Sequence, residues 1–217
     1  VSPIPFNLTT KNAACTGISG QISFAGAHTL VDPGLGTTAN AGEASGGSYA
    51  RQGLAWASVT GGTQANSGAL TIPVPAGTYG FITFWNAATL NTGTQYMGYS
   101  PMGGAAAIKG YATVDPTLAN NQFFAPGHAL VNTNTLFVFP EFGTTLTAPL
   151  ASGTLYYVIN SATNTFQLST TSGGSAVALT TFNSGLFYWQ RIVSEVFNAA
   201  GNITVAIGAL VVDATSV

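Results

Sequence analysis

Thr78-Tyr79-Gly80-Phe81-Ile82-Thr83-Phe84-Trp85-Asn86-Ala87 is the stretch on which the fold turns. Its aromatic, β-branched and threonine side chains suit a pleated, half-buried surface, and Gly77 and Asn86 punctuate its ends. It reads as a strand. It lies inside a run, Gln52 to Ile108, with no charged side chain, and a second such run extends from residue 142 to 190. Gly, Thr, Ser and Asn interrupt both runs, so no window approaches the roughly 18 apolar residues of a spanning helix, and membrane insertion is not expected. Only 5% of the chain is charged, against about 25% in a typical soluble domain. Little net charge favours association, so the simplest reading is a β-protein packed into an assembly.

Composition narrows the function classes. At 217 residues the chain can bury a core and hold one or two domains. Hydrophobic content of 46% excludes compositional disorder. Four scattered basic residues, Lys11, Arg51, Lys109 and Arg191, make no footprint for phosphates, so nucleic acid is not an expected partner. Cys15 is the single cysteine and reads as a small buried apolar residue. Val1 to Pro5 shows no signal-peptide pattern, so synthesis in a cytoplasm is expected.

Outward from the central strand, the pattern is strands and turns. Asn7 to Gly17 predicts the one helix, with Thr9 or Thr10 as cap and Gly17 or Gly20 as stop. Gln21 to Ala25 alternates as a strand, followed by a turn-rich segment from Asp32 to Ser48. Further strands are expected at Tyr49–Val59, Ala69–Val74, Tyr96–Met102 and Ile108–Val114, with a tight turn at Asn91-Thr92-Gly93-Thr94. After Asp115-Pro116 the strands shorten: Thr154–Asn160 and Asn164–Ser169 form a hairpin, then comes Ala176–Thr180. Leu186–Phe197 and Asn202–Val212 read as two long closing strands.

Gly26 to Trp56, GAHTLVDPGLGTTANAGEASGGSYARQGLAW, carries a resemblance. The order His28-Thr29, Asp32-Pro33-Gly34, Glu43, Ser45-Gly46-Gly47, Tyr49-Ala50-Arg51-Gln52, then Ile72-Pro73, Pro75 and Gly77-Thr78, resembles small β-sandwich minor tail or tail-fibre proteins of tailed bacteriophages. Thr154 to Thr181, with Tyr156-Tyr157-Val158 and Asn164-Thr165-Phe166-Gln167-Leu168-Ser169, resembles a small β module of phage tail proteins. The resemblance implies an all-β fold: an antiparallel β-sandwich with a short N-terminal helix and a second small β module inserted before the last two strands. The sandwich would be discontinuous, residues 1–117 and 189–217, with residues 118–188 as the inserted module. It implies a structural virion protein on a tail or capsid surface, with copies of itself (a trimer on a fibre) and other virion proteins as partners. A capsid decoration or head-fibre protein and a host-glycan-binding adhesin stand as alternatives.

Structural roles are expected for the residues of the quoted segment. Pro33-Gly34 sets a turn after Asp32, and His28 is placed to bond Asp32 across it. Gly46-Gly47 permits a sharp re-entry into the Tyr49 strand. Glu43 and Arg51 flank that turn and can pair, fixing register more than adding stability. No local two-ligand spacing marks a metal site, no Gly-x-Ser-x-Gly elbow supports His28 or His128 in a triad, and no phosphate-binding glycine motif precedes a helix. Glu195 near Trp189 is the one carboxylate beside aromatics, and Arg191, four residues away on the same expected strand, pairs with it as a salt bridge. No catalytic residue, metal or cofactor is therefore assigned, and the chain is read as a non-enzyme. Tyr156, Tyr157 and Trp189 are the expected contacts if the inserted module touches a host or partner, although core packing explains aromatics equally.

Overall fold

The computed structural model describes residues 7–31, 33–34, 39–89, 95–115, 117, 120–140, 145–182 and 185–215, with backbone only at 39 and 40. The chain is all-β with one short N-terminal helix. It divides into two compact units: residues 1–29, 33–100 and 195–217 form the first, and residues 30–32 and 101–194 the second.

In the first unit, α1 spans Leu8–Ser19. Its cap is Asn7, not Thr9 or Thr10: the Asn7 side chain accepts from Thr10 N at 2.9 Å, satisfying a first-turn donor. Gly20 ends it. Cys15 is buried on this helix, as expected, with its thiol donating to Val212 O.

The main sheet is built around β5 (Gly77–Trp85), the strand quoted above. It pairs antiparallel with β1 (Phe24–Thr29) from Trp85 opposite Phe24 to Tyr79 opposite Thr29, with a bulge between His28 and Thr29. β2 (Gln52–Gly53) extends the sheet beyond β1, while β13 (Glu195–Phe197) and β6 (Tyr96–Pro101) pair with β5. Two ribbons complete the unit: β3 (Thr63–Ala65) with β15 (Val211–Asp213), and β4 (Leu70–Val74) with β14 (Gly201–Val205). Ile72, Val74, Phe81, Trp85 and Ile203 are fully buried.

The second unit is a closed antiparallel barrel. Its strands are β7 (Lys109–Val114), β8 (Phe123–Phe124), β9 (Thr135–Pro140), β10 (Tyr156–Ile159), β11 (Thr165–Ser169) and β12 (Phe187–Ile192). Around the wall they run β10-β11-β8-β7-β12-β9, closing back on β10. Alternate residues fill the interior: Ala112, Val114, Phe123, Leu136, Val138, Tyr156, Val158, Phe166, Leu168, Phe187 and Trp189 form one core.

Several expectations are corrected. The inserted unit runs from 101 to 194 rather than 118 to 188, because β7 and β12 pair with each other, from Phe187 opposite Ala112 to Gln190 opposite Lys109, and belong to the barrel wall. Asp115, where the boundary was expected, follows β7 within the barrel, and Pro116 lies outside the described residues. The expected long strand 186–197 is two strands in two sheets, β12 and β13, interrupted at Val193-Ser194. The expected strand 202–212 breaks likewise into β14 and β15 at the Ile207-Gly208 turn. Tyr49–Val59 contributes only the two residues of β2, and Ala176–Thr180 forms no strand, although Val177 N donates to Leu168 O at 2.7 Å. The 154–160/164–169 hairpin forms as β10 and β11. Asp32 and the turn at 91–94 lie outside the described residues.

Candidate functional site

The quoted segment folds into a buried ionic cluster. A short 3-10 turn, Ala39–Gly42, delivers Glu43 beside β1, where it bridges His28, and Ala44 N donates to Ala27 O at 2.9 Å. The chain then reverses at Gly46 and Gly47, whose φ values of +84° and +59° are left-handed conformations that glycine adopts without penalty. Arg51 thereby returns alongside Glu43. Its Nε donates to Oε1 and its Nη2 to Oε2, each at 2.7 Å, a bidentate fork. Nη1 donates to Ala87 O at 3.0 Å and Thr89 O at 2.7 Å. The guanidinium lies face-on over Trp85, 3.4 Å from the ring centroid. Arg51 is 5% exposed; its charge is paired, four of its five N–H donors are engaged and its guanidinium lies over Trp85.

Tyr49 locks the cluster to the sheet. Its hydroxyl donates to Glu43 Oε1 at 2.8 Å and accepts from Ala27 N at 3.3 Å. Burial first, and the Glu43 charge second, hold this phenol far above its ordinary titration range, so it stays protonated. Two glycines make room. A Cβ at Gly26 would lie 2.5 Å from the Tyr49 hydroxyl, and one at Gly42 would lie 2.3 Å from His28 Cε1. His28 is fully buried, edge-on to Phe81.

The structure thus brings together His28, Glu43, Gly46, Gly47, Tyr49 and Arg51. Gly34 has φ +66°, and the residues on either side of Pro33-Gly34 that would complete the expected turn lie outside the described residues. The expected His28–Asp32 bond falls on an undescribed residue. Sequence reasoning missed Trp85 as the platform under Arg51, and Gly26 and Gly42 as the spaces for neighbouring rings. Nothing in a linear sequence marks a glycine by what approaches it. Chemically the cluster is closed: the carboxylate is neutralised and chelated, and the only ion pair among the described residues is this one. The same residues include no group of three His, Cys, Asp or Glu side chains spaced to hold a metal. Arg191 and Glu195 are on β12 and β13, strands of different sheets, and the expected pair between them does not form.

The candidate contact residues divide differently. Tyr156 and Trp189 point into the barrel core, while Tyr157 is half-buried. The aromatics outside the wall are others. Tyr188 stands directly opposite Tyr111 on one neighbouring strand and Phe139 on the other, with ring centroids 5.7 and 6.0 Å away. Phe124 and Leu186 are exposed on the same unit. The alternation Phe187-Tyr188-Trp189 carried this information, but only the direction of the barrel interior decides which parity faces out. Comparisons with protein-family models, curated proteins and solved structures found no match to this chain.

Proposed function

We propose that this chain is a structural virion protein of a tailed bacteriophage, a minor tail or tail-fibre component that works by assembly. The observation that carries the reading is the Glu43–Arg51 fork. The polar residues most suggestive of a site hold a turn against β1 and β5, with Glu43 and Arg51 chelating each other. Such a cluster specifies architecture. Apolar side chains remain exposed on both units, Val196, Ile207 and Val211 on the first and Tyr111, Phe124 and Leu186 on the second. With 5% charge to keep copies apart, burial of these side chains against like copies or neighbouring virion proteins is favourable.

Solution mass tests assembly. Sedimentation of the purified chain is expected to give a closed oligomer, and a monomer persisting at high concentration would count against the reading. Gold-labelled antibody on intact particles is expected at the tail; label confined to the head would transfer the protein to the capsid-decoration class, and no label on virions would remove it from the particle.

A further inference from the structure

β14 has one side without a partner. It lies in a two-stranded sheet with β4, and no third strand pairs with its other side among the described residues. A proline fixes which main-chain groups face that side. Antiparallel ladders alternate between residue pairs that exchange both N–H···O=C bonds and pairs that exchange none. Gly201 stands opposite Val74, Asn202 opposite Pro73 and Ile203 opposite Ile72. Pro73 has no N–H to exchange, so the bonded pairs are Gly201–Val74, Ile203–Ile72 and Val205–Leu70. Asn202 and Thr204 therefore turn their N–H and C=O groups away from β4. Neither has another main-chain hydrogen bond among the described residues, and both are exposed.

Open strand edges invite pairing, and folded proteins blunt them with shortness, charge, proline or a bulge. Several edges of this unit carry such devices. β2 has two residues, β13 three with Glu195 among them, and β15 three with Asp213 among them. The far side of β4 carries Pro73. β14 has none of these: it has five residues, pairs in regular register throughout, and holds no proline or charge. The sequence from Val196 to Val212 contains no charged side chain at all. No like charge therefore opposes the approach of a second copy along this edge.

We propose that β14 pairs antiparallel with β14 of a second copy, about a two-fold axis at Ile203. Asn202 then stands opposite the second copy's Thr204, and Thr204 opposite its Asn202. Each is a pair that exchanges both its N–H···O=C bonds, so every main-chain group that β14 turns away from β4 finds a partner. A register centred on Thr204 fails, because it calls on Ala206 O, which already accepts from Asn66 Nδ2 at 3.0 Å and from Ala209 N at 3.2 Å. Carried past the strand, the Ile203-centred register brings Ile207, 68% exposed, to the second copy's Ala199 and gives it apolar cover. Two-fold pairing uses up both edges and closes, so it makes a dimer and not a fibre. The inference rests on the assembly reading and names the surface through which copies would meet.

Sedimentation equilibrium and amide hydrogen exchange of the full chain test it together. The Ile203 N–H, bonded to Ile72, is expected to exchange slowly at every concentration. The Asn202 and Thr204 N–H groups should be protected in the dimer and lose that protection on dilution. Thr204→Pro removes a donor that β4 does not use, and should weaken the dimer about tenfold while the chain stays folded. Paired charges check the register without touching the backbone. Asn202→Lys with Thr204→Lys sets lysine against lysine across the axis and should weaken association about tenfold, whereas Asn202→Lys with Thr204→Glu should restore it. An oligomer whose mass is unchanged in Thr204→Pro and in the double-lysine chain, or in which the two amides exchange freely, overturns this inference and leaves the assembly reading standing. A parent chain that stays monomeric at high concentration overturns the pairing and counts against assembly as well. Protection that appears only when another virion protein is added gives the edge to that protein, and overturns pairing with a second copy.

Discussion

Arg51 shows at the scale of one residue what a nearly uncharged chain does with a charge. The guanidinium is out of water, so its stability depends on every partner being present: Glu43, two carbonyls and the Trp85 face. Removing one partner leaves the other charge buried and bare. Glu43→Gln should therefore lower unfolding stability by about 3–5 kcal/mol in urea titrations, whereas replacing both residues by apolar ones of similar volume should restore much of it. A single mutant as stable as the parent would show that the pair is solvated. Tyr49 adds a pH signature. Its folded-state pKa is raised above the unfolded value near 10, so the stability it contributes is fully present below about pH 10 and is lost as pH rises further. Tyr49→Phe should make the decline above pH 10 shallower by about 1.4 kcal/mol per pH unit, read by chemical denaturation across that range.

At the scale of elements, side chains decide where strands stop. Asn66, almost fully buried, donates from Nδ2 to Gly68 O and Ala206 O and accepts at Oδ1 from Leu210 N. It stitches the corner at which β14 gives way to β15, which is why 202–212 is not one strand. Asn66→Ala would leave one buried amide and two carbonyls short of a partner, for an expected loss of about 2–3 kcal/mol; amide exchange should accelerate first at Leu210. Strand existence was largely legible beforehand: β4, β5, β6, β7, β10 and β11 lie where apolar and β-branched residues cluster between turn residues. The breaks were not. They depend on pairing with residues distant in sequence, Thr135 and Ile108 for β12, Tyr79 for β13 and Asn66 for the corner between β14 and β15, and a local window contains no trace of them. β8 is too short, and Tyr49–Leu54 too irregular, for periodicity to separate them from loop.

At the scale of the whole molecule, two hydrophobic cores divide the chain. Phe166 is fully buried in the barrel, stacked on Phe123 and edge-on to Trp189. Phe166→Ala should destabilise that core by about 3–5 kcal/mol. Hydrogen exchange is expected to quicken in β7 to β12 while β1 and β5 keep their protection. Equal loss in both units would mean that they unfold as one.

Local patterns in the sequence were enough for the all-β character, the helix near the N-terminus, the 156–169 hairpin and the pairing of Glu43 with Arg51. Each follows from local chemistry: side-chain shape, turn residues, or two opposite charges across a short turn. Only the tertiary structure decided that β7 and β12 belong to the barrel, that Trp189 faces inward and Tyr188 outward, and that Trp85 lies under Arg51. Strand pairing sets those outcomes, and a shift of one residue in register would exchange every inward side chain for an outward one.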